Sequence, residues 1–116
     1  MSAIASETAS KVIDITERNF HRDVLDAAQP VLVDFGASWC APCRAIAPSV
    51  EAIAAAYDGR VRVGACDVDR NPDLANRCDI RSLPTLLLFR DGRVVGRIVG
   101  AVARDRIQRL VEEVLP

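Results

Sequence analysis

The sequence predicts an α/β domain in which a mixed β-sheet lies between layers of helix, and three observations carry that prediction. Val31 to Phe35 is apolar on both alternating faces apart from Asp34, the pattern of a central strand covered by helices on both sides. Segments with apolar residues at spacings of three and four take turns with short apolar runs along the chain, so helices and strands alternate. An Asp91-Gly92 pair between the apolar runs Leu83 to Phe89 and Val94 to Val99 is a hairpin signal, which makes the last two strands antiparallel and the sheet mixed.

Taken in order, residues 1 to about 10 lack periodicity and are expected to form a flexible leader, leaving 11–116 as one folded domain. Val12 to Ile15 alternates weakly, as a short edge strand does. Thr16 or Asn19 is placed to cap a helix carrying Phe20, Val24, Leu25 and Ala28 on one side, which Pro30 ends. After the central strand, Pro42 suits the first turn of a second helix, where its missing N–H is no loss. Ile46, Val50, Ile53, Ala54 and Tyr57 continue that helix until Asp58-Gly59, and Pro48 within it should bend it. Val61 to Val68 is a further strand, and Asn71-Pro72-Asp73 opens a short helix holding Leu74 and Ala75. A proline-led strand, Leu83 to Phe89, precedes the hairpin. Ala103 to Leu115 closes the chain as a helix with Ile107, Leu110, Val111 and Val114 on one face.

Composition narrows the function. The chain has 116 residues, half of them hydrophobic, and a net charge of −1 with both signs scattered. That balance points neither to nucleic acid nor to an anionic membrane surface. The first ten residues have no basic segment followed by a long apolar one, and no stretch is long enough to span a bilayer, so the cytoplasm is the expected compartment. In a reducing cytosol the four cysteines are not expected to form a structural disulfide framework; a close pair is then catalytic or metal-binding.

The close pair is Cys40 and Cys43 in Trp39-Cys40-Ala41-Pro42-Cys43, directly after the central strand and directly before a helix. Two thiols at this spacing and place suit dithiol–disulfide chemistry. The same spacing also supplies half of a structural zinc site, which Cys66 and Cys78 would have to complete. Asp34 is the second chemical signal, because an acid inside an otherwise buried strand costs stability unless it is neutral, paired or useful. Its alternative role is that of a hydrogen-bonded buried acid that only tightens the core. Cys66 and Cys78 are expected to be small buried hydrophobes, with Cys78 the better candidate for oxidation, and His21 a surface residue.

Together, Trp39-Cys40-Ala41-Pro42-Cys43, Asp34 upstream, Ile46-Ala47-Pro48 downstream, Asp67-Val68-Asp69 with Asn71-Pro72, Leu83-Pro84-Thr85-Leu86, Asp91-Gly92 and Val99-Gly100-Ala101 resemble the thioredoxin family. The resemblance runs from about residue 11 to the C-terminus. It implies the thioredoxin fold, a five-stranded mixed sheet flanked by four helices, and a protein-disulfide reductase that is a monomer. Cys40 would attack a substrate disulfide and Cys43 would resolve the mixed disulfide, with Asp34 taking the Cys43 proton. Pro84 would be a cis-proline. Trp39, Ala41, Pro42, Leu83, Thr85, Gly100 and Ala101 would form the substrate-binding surface. The implied partners are a thioredoxin reductase and protein disulfides, and no bound cofactor is implied, since the dithiol carries the electrons. The alternative is a binding module whose apolar patch around Trp39 and Gly100 matters more than its sulfur.

Physical chemistry fits those roles. Disulfide exchange needs a thiolate, and a helix N-terminus with its unpaired N–H groups favours one at Cys40. Cys43 is expected to lie deeper, one sulfur accessible and the other covered. Ala41-Pro42 lacks the histidine of oxidising relatives, so the pair should be reducing. The chain departs from the family at Gly36, where an aromatic residue is usual, at Ala41, usually glycine, and at Ala65, where many bacterial members carry a lysine beside the buried aspartate. Two consequences follow from the missing countercharge: desolvation alone pushes Asp34 toward its protonated form, or the space left by Gly36 and Ala65 admits water; the second, a hydrated pocket that connects Asp34 to the surface near Cys43, is the expectation.

Overall fold

The computed structural model describes residues 10–115. The expected leader therefore lies outside the described residues except for Ser10. Five strands are β1 (Ile13–Asp14), β2 (Val31–Gly36), β3 (Arg62–Asp67), β4 (Thr85–Arg90) and β5 (Arg93–Val99). The helices are α1 (His21–Leu25), α2 (Ala41–Ala56), α3 (Pro72–Arg77) and α4 (Arg104–Val114), of which α1 is a single π-helical stretch. The sheet order is β1-β3-β2-β4-β5. β1, β3 and β2 are parallel, whereas β4 pairs antiparallel with β2 and β5 antiparallel with β4. The predicted mixed α/β sandwich is the one observed.

β2 is central, and its alternation sorts the core into two layers. Val31, Val33 and Phe35 join Phe20, Val24, Leu74 and Phe89 on the α1/α3 side. Leu32 joins Ile46, Val50, Ile53, Ile107 and Val111 on the α2/α4 side. Asp34 and Gly36 share the face of Leu32, because successive side chains alternate, and so they look toward α2. The Asp91-Gly92 hairpin has positive φ at both residues, 52° and 78°, as a tight two-residue turn demands.

Two elements differ from their predicted form. The first helix ends at Leu25 instead of reaching Ala28, and neither Thr16 nor Asn19 caps it with a side chain. Those two side chains instead bond locally: Asn19 Oδ1 accepts from the Thr16 N–H at 2.8 Å, and Thr16 Oγ1 accepts from the Asn19 N–H at 3.3 Å. Such side-chain to backbone bonds compete with helix at just these residue types. Leu83 and Pro84 precede β4 rather than belonging to it. α2 continues through Pro48 as expected, with Ile46 and Val50 on its buried side in the core.

β1 is kept in place by a glycine. A Cβ on Gly64 would stand 2.4 Å from Ile15 Cγ1 and 3.3 Å from the Ile13 carbonyl oxygen. Gly64→Ala is therefore expected to displace the edge strand and lower stability by about 2 kcal/mol, read as a denaturant midpoint shift. An unchanged midpoint would show that β1 yields without cost.

Candidate active site

Cys40 is the N-cap of α2, with extended backbone angles, and its Sγ accepts a hydrogen bond from the Cys43 N–H at 3.2 Å. The sequence makes this local structure. Pro42 at the start of the helix lacks the N–H that would otherwise go unpaired, and Cys43 lies one turn along on the buried side. The two sulfurs form a disulfide across a Cα–Cα distance of 5.3 Å. They therefore meet at the start of a helix, where backbone dipoles favour a thiolate once the bond opens.

The expectation of one accessible and one covered sulfur is not what the closed disulfide presents. Cys40 is 4% exposed and Cys43 8%, so both are buried. Each sulfur shields the other while they are bonded, and Gly36 places no side chain over Cys43. The two cysteines instead face different hollows. Cys40 lines a groove of about 640 Å³ with Trp39, Pro42, Ile80 and Leu83. Cys43 lines a cleft of about 310 Å³ with Asp34, Gly36 and Ala65.

Of the residues expected to dock substrate, Trp39, Ala41, Pro42 and Leu83 line the groove. Trp39 is 66% exposed, and its indole N–H donates to Asp69 Oδ2 at 2.8 Å, which fixes the ring beside Cys40. Ala41, Pro42 and Ala101 are exposed and Leu83 and Gly100 half-buried. The Leu83-Pro84 peptide is cis, as predicted. Gly100, with φ 95°, donates its N–H to the Pro84 carbonyl at 2.8 Å and so ties the end of β5 to the proline loop. Thr85 is a correction: it is 1% exposed and its hydroxyl donates to the Ser82 carbonyl at 2.7 Å, so its side chain braces the loop and does not face a partner.

Gly36 and Ala65 line a cleft together with Asp34, the space the expected pocket requires, while burial of the carboxyl follows the other expected consequence, desolvation. Ala65 pairs with Asp34 across β2 and β3, and Asp34 opens into the cleft instead of being sealed by apolar atoms. Asp34 Oδ1 is nevertheless buried with no hydrogen-bond partner. Burial alone pushes the Asp34 pKa up from 3.8 to about 6. A carboxyl poised there can hold or accept a proton near neutral pH, within the same cleft as Cys43.

Cys66 is buried, and desolvation pushes its thiol up to about 12, while Cys78 is half-buried and also raised by desolvation. Neither reaches the Cys40–Cys43 pair to complete a zinc site: the described residues contain no group of three or more His, Cys, Asp or Glu side chains placed to hold a metal ion. His21 is exposed, 3.4 Å from Asp26.

Several supporting residues had no role assigned to them from the sequence. Asp69 holds Trp39, and the Arg44 guanidinium donates to the Ser38 carbonyl at 2.7 Å, fastening the loop that carries Trp39. Glu17 Oε2 accepts from the Asp73 N–H at 2.9 Å, capping α3 from 56 residues away. The contacts of Asp69 and Glu17 span long stretches of sequence, so only the folded chain reveals them.

Comparison with known proteins agrees with this geometry. The family model for Thioredoxin matches residues 11–113. Thioredoxin C-2 of Corynebacterium nephridii is 44% identical over 105 residues, covering 90% of this chain and 97% of the relative. Thioredoxin 1 of Nostoc sp. is 42% identical over 104 residues, with 90% and 97% covered. The bifunctional thioredoxin reductase/thioredoxin of Mycobacterium leprae is 40% identical over 111 residues, which are 96% of this chain and 24% of that protein. The chain therefore belongs to the thioredoxin family of dithiol–disulfide oxidoreductases.

Proposed function

We propose that the reduced chain passes two electrons to protein disulfides through Cys40 and Cys43. The observation that carries this reading is the Cys40–Cys43 disulfide at the N-terminus of α2, with Cys40 bordering an open groove. In the reduced protein the Cys40 thiolate attacks a substrate sulfur, forming a mixed disulfide and expelling the other substrate thiolate. Cys43, relieved of its proton by Asp34, then attacks Cys40 Sγ. The substrate leaves as its second thiolate, and the pair is closed again.

Trp39, Ala41, Pro42, Leu83, Gly100 and Ala101 dock the substrate, and the cis-Pro84 loop presents its backbone next to Cys40. Thr85 serves that loop from beneath. Electrons return from a thioredoxin reductase, a partner supported by the relative whose name joins the two activities in one protein. Residues 11–116 act as one unit and as a monomer, and the cytoplasm is the working compartment. Among the described residues no helix is long and apolar enough to cross a membrane.

Only a backbone N–H donates to Cys40 Sγ among the described residues, and Ala41-Pro42 adds no side-chain donor. The thiolate is therefore less stabilised than with a histidine in the spacer, and the pair is a reductant. Equilibration with a mildly reducing glutathione buffer, followed by alkylation and mass analysis, is expected to leave the pair mostly oxidised. A mostly reduced pair would overturn the assignment as a reductase.

A further inference from the structure

The disulfide has a second side that protein docking does not use. Cys43 borders the cleft and not the groove, whereas Cys40 borders the groove and not the cleft. A glycine keeps the cleft open above Cys43: a Cβ on Gly36 would stand 3.2 Å from Cys43 Sγ and 3.3 Å from Cys43 Cβ. Any larger side chain at that position would extend over the sulfur. Ala65, half-buried on the neighbouring strand, adds little bulk to the same wall.

We propose that this cleft is a separate entrance through which small thiols reach Cys43 Sγ and reduce the disulfide without passing through the docking groove. The proposal rests on Cys40 and Cys43 being the redox pair. At about 310 Å³ the cleft lies at the small end of ligand sites, enough for a thiol of two or three carbons and too small for a folded partner. Its walls carry the carboxylates Asp14, Asp34 and Asp67 against one cation, Arg44. The negative balance disfavours anionic thiols, so the fitting class is a small neutral or cationic thiol.

The N-cap position makes Cys40 the better leaving group, which directs attack to Cys43. A thiolate attacks Cys43 Sγ and forms a mixed disulfide there, while the Cys40–Cys43 bond breaks and its electron pair leaves on Cys40. That leaving sulfur is the N-cap of α2 and already accepts the Cys43 N–H, so the departing thiolate is stabilised where it forms. A second thiolate attacks the outer sulfur of the adduct and releases the small disulfide. Cys43 leaves as a thiolate and is reprotonated from Asp34 or water. In sum, two thiols and the protein disulfide become one small disulfide and the protein dithiol, the two thiol protons ending on the cysteines or in solvent.

The test begins with the oxidised full chain and cysteamine, with N-ethylmaleimide added in excess during the reaction to cap the freed sulfur. Fragment-ion mass spectrometry then locates the adduct. It is expected on Cys43 with the cap on Cys40; the reverse arrangement overturns the proposal. A second arm follows the reduction rate for cysteamine and for mercaptoacetate, each normalised to the same thiol's rate with 2-hydroxyethyl disulfide. Cysteamine is expected to be roughly fivefold faster or more. Equal normalised rates overturn the assignment of thiol class. In Gly36→Ala, the rate of reduction by cysteamine is expected to fall by about fivefold or more relative to that variant's own insulin turnover fed by a thioredoxin reductase and NADPH. An unchanged ratio of the two rates in the folded variant counts against the cleft, and if that variant fails to fold, the adduct position in the native protein decides alone. Absent insulin turnover in the native protein would overturn the redox reading beneath both proposals.

Discussion

Cys40→Ser is expected to reduce insulin-disulfide turnover on the order of a thousandfold or more, to the background rate of the assay. A serine hydroxyl at a helix N-terminus remains neutral at pH 7, so nothing there can attack a disulfide sulfur. The remaining Cys43 is buried and lacks the N-cap position, and it cannot close a mixed disulfide without its partner. The fold should be spared, because serine is close to cysteine in size and neither core layer includes Cys40. A coupled assay with insulin, NADPH and a thioredoxin reductase gives the measurement, with circular dichroism as the control for folding. Substantial residual turnover would remove Cys40 from the chemistry. Full biological function in a variant without turnover would favour a binding module that works through the Trp39 patch.

Asp34→Asn is expected to stabilise the oxidised protein at pH 8 by about 3 kcal/mol while impairing catalysis. The carboxyl titrates at 3.8 when free in an unfolded chain and at about 6 in the folded protein. The folded state thus holds this proton more tightly, so the associated stability is fully present below pH 3.8 and lost as pH rises through about 6. Roughly two pKa units at 1.36 kcal/mol each give the magnitude. Asparagine never ionises, so its advantage should appear above pH 6 and vanish below pH 4. Urea titrations of both proteins at pH 8 and pH 3.5 measure it directly. Equal stabilities at pH 8 would mean that water in the cleft already solvates the charge in full.

The catalytic consequence runs the other way. Without a carboxylate to accept the Cys43 proton, release of the mixed disulfide should slow by roughly tenfold to a hundredfold, whereas its formation at Cys40 should not change. Rapid mixing with a chromogenic disulfide, quenched by acid, separates the two steps. If both proceed as in the native protein, Asp34 is a structural acid only.

Much of this was legible in the chain. The binary pattern of β2, the Asp91-Gly92 turn and the cysteine pair each act within a few residues, and local sequence determines such features directly. The first helix was less legible. Its apolar spacing points to Ala28, but Thr16 and Asn19 divert backbone bonds into a local turn and the helix stops at Leu25. Thr85 shows the same limit at the site. Its position beside the cis-proline suggests a substrate contact, whereas the hydroxyl satisfies the Ser82 carbonyl within the loop.

The sequence by itself determined the order of strands and helices, the place of Cys40 at a helix start and the presence of an acid in the central strand. Only the tertiary structure decided that the two sulfurs border different hollows, that Asp34 opens into the one beside Cys43, and that Asp69 steadies Trp39. The reason is range: turn chemistry and side-chain periodicity are fixed by neighbours in the chain. The shape of a cleft depends on how Gly36, Ala65 and α2 come together in space.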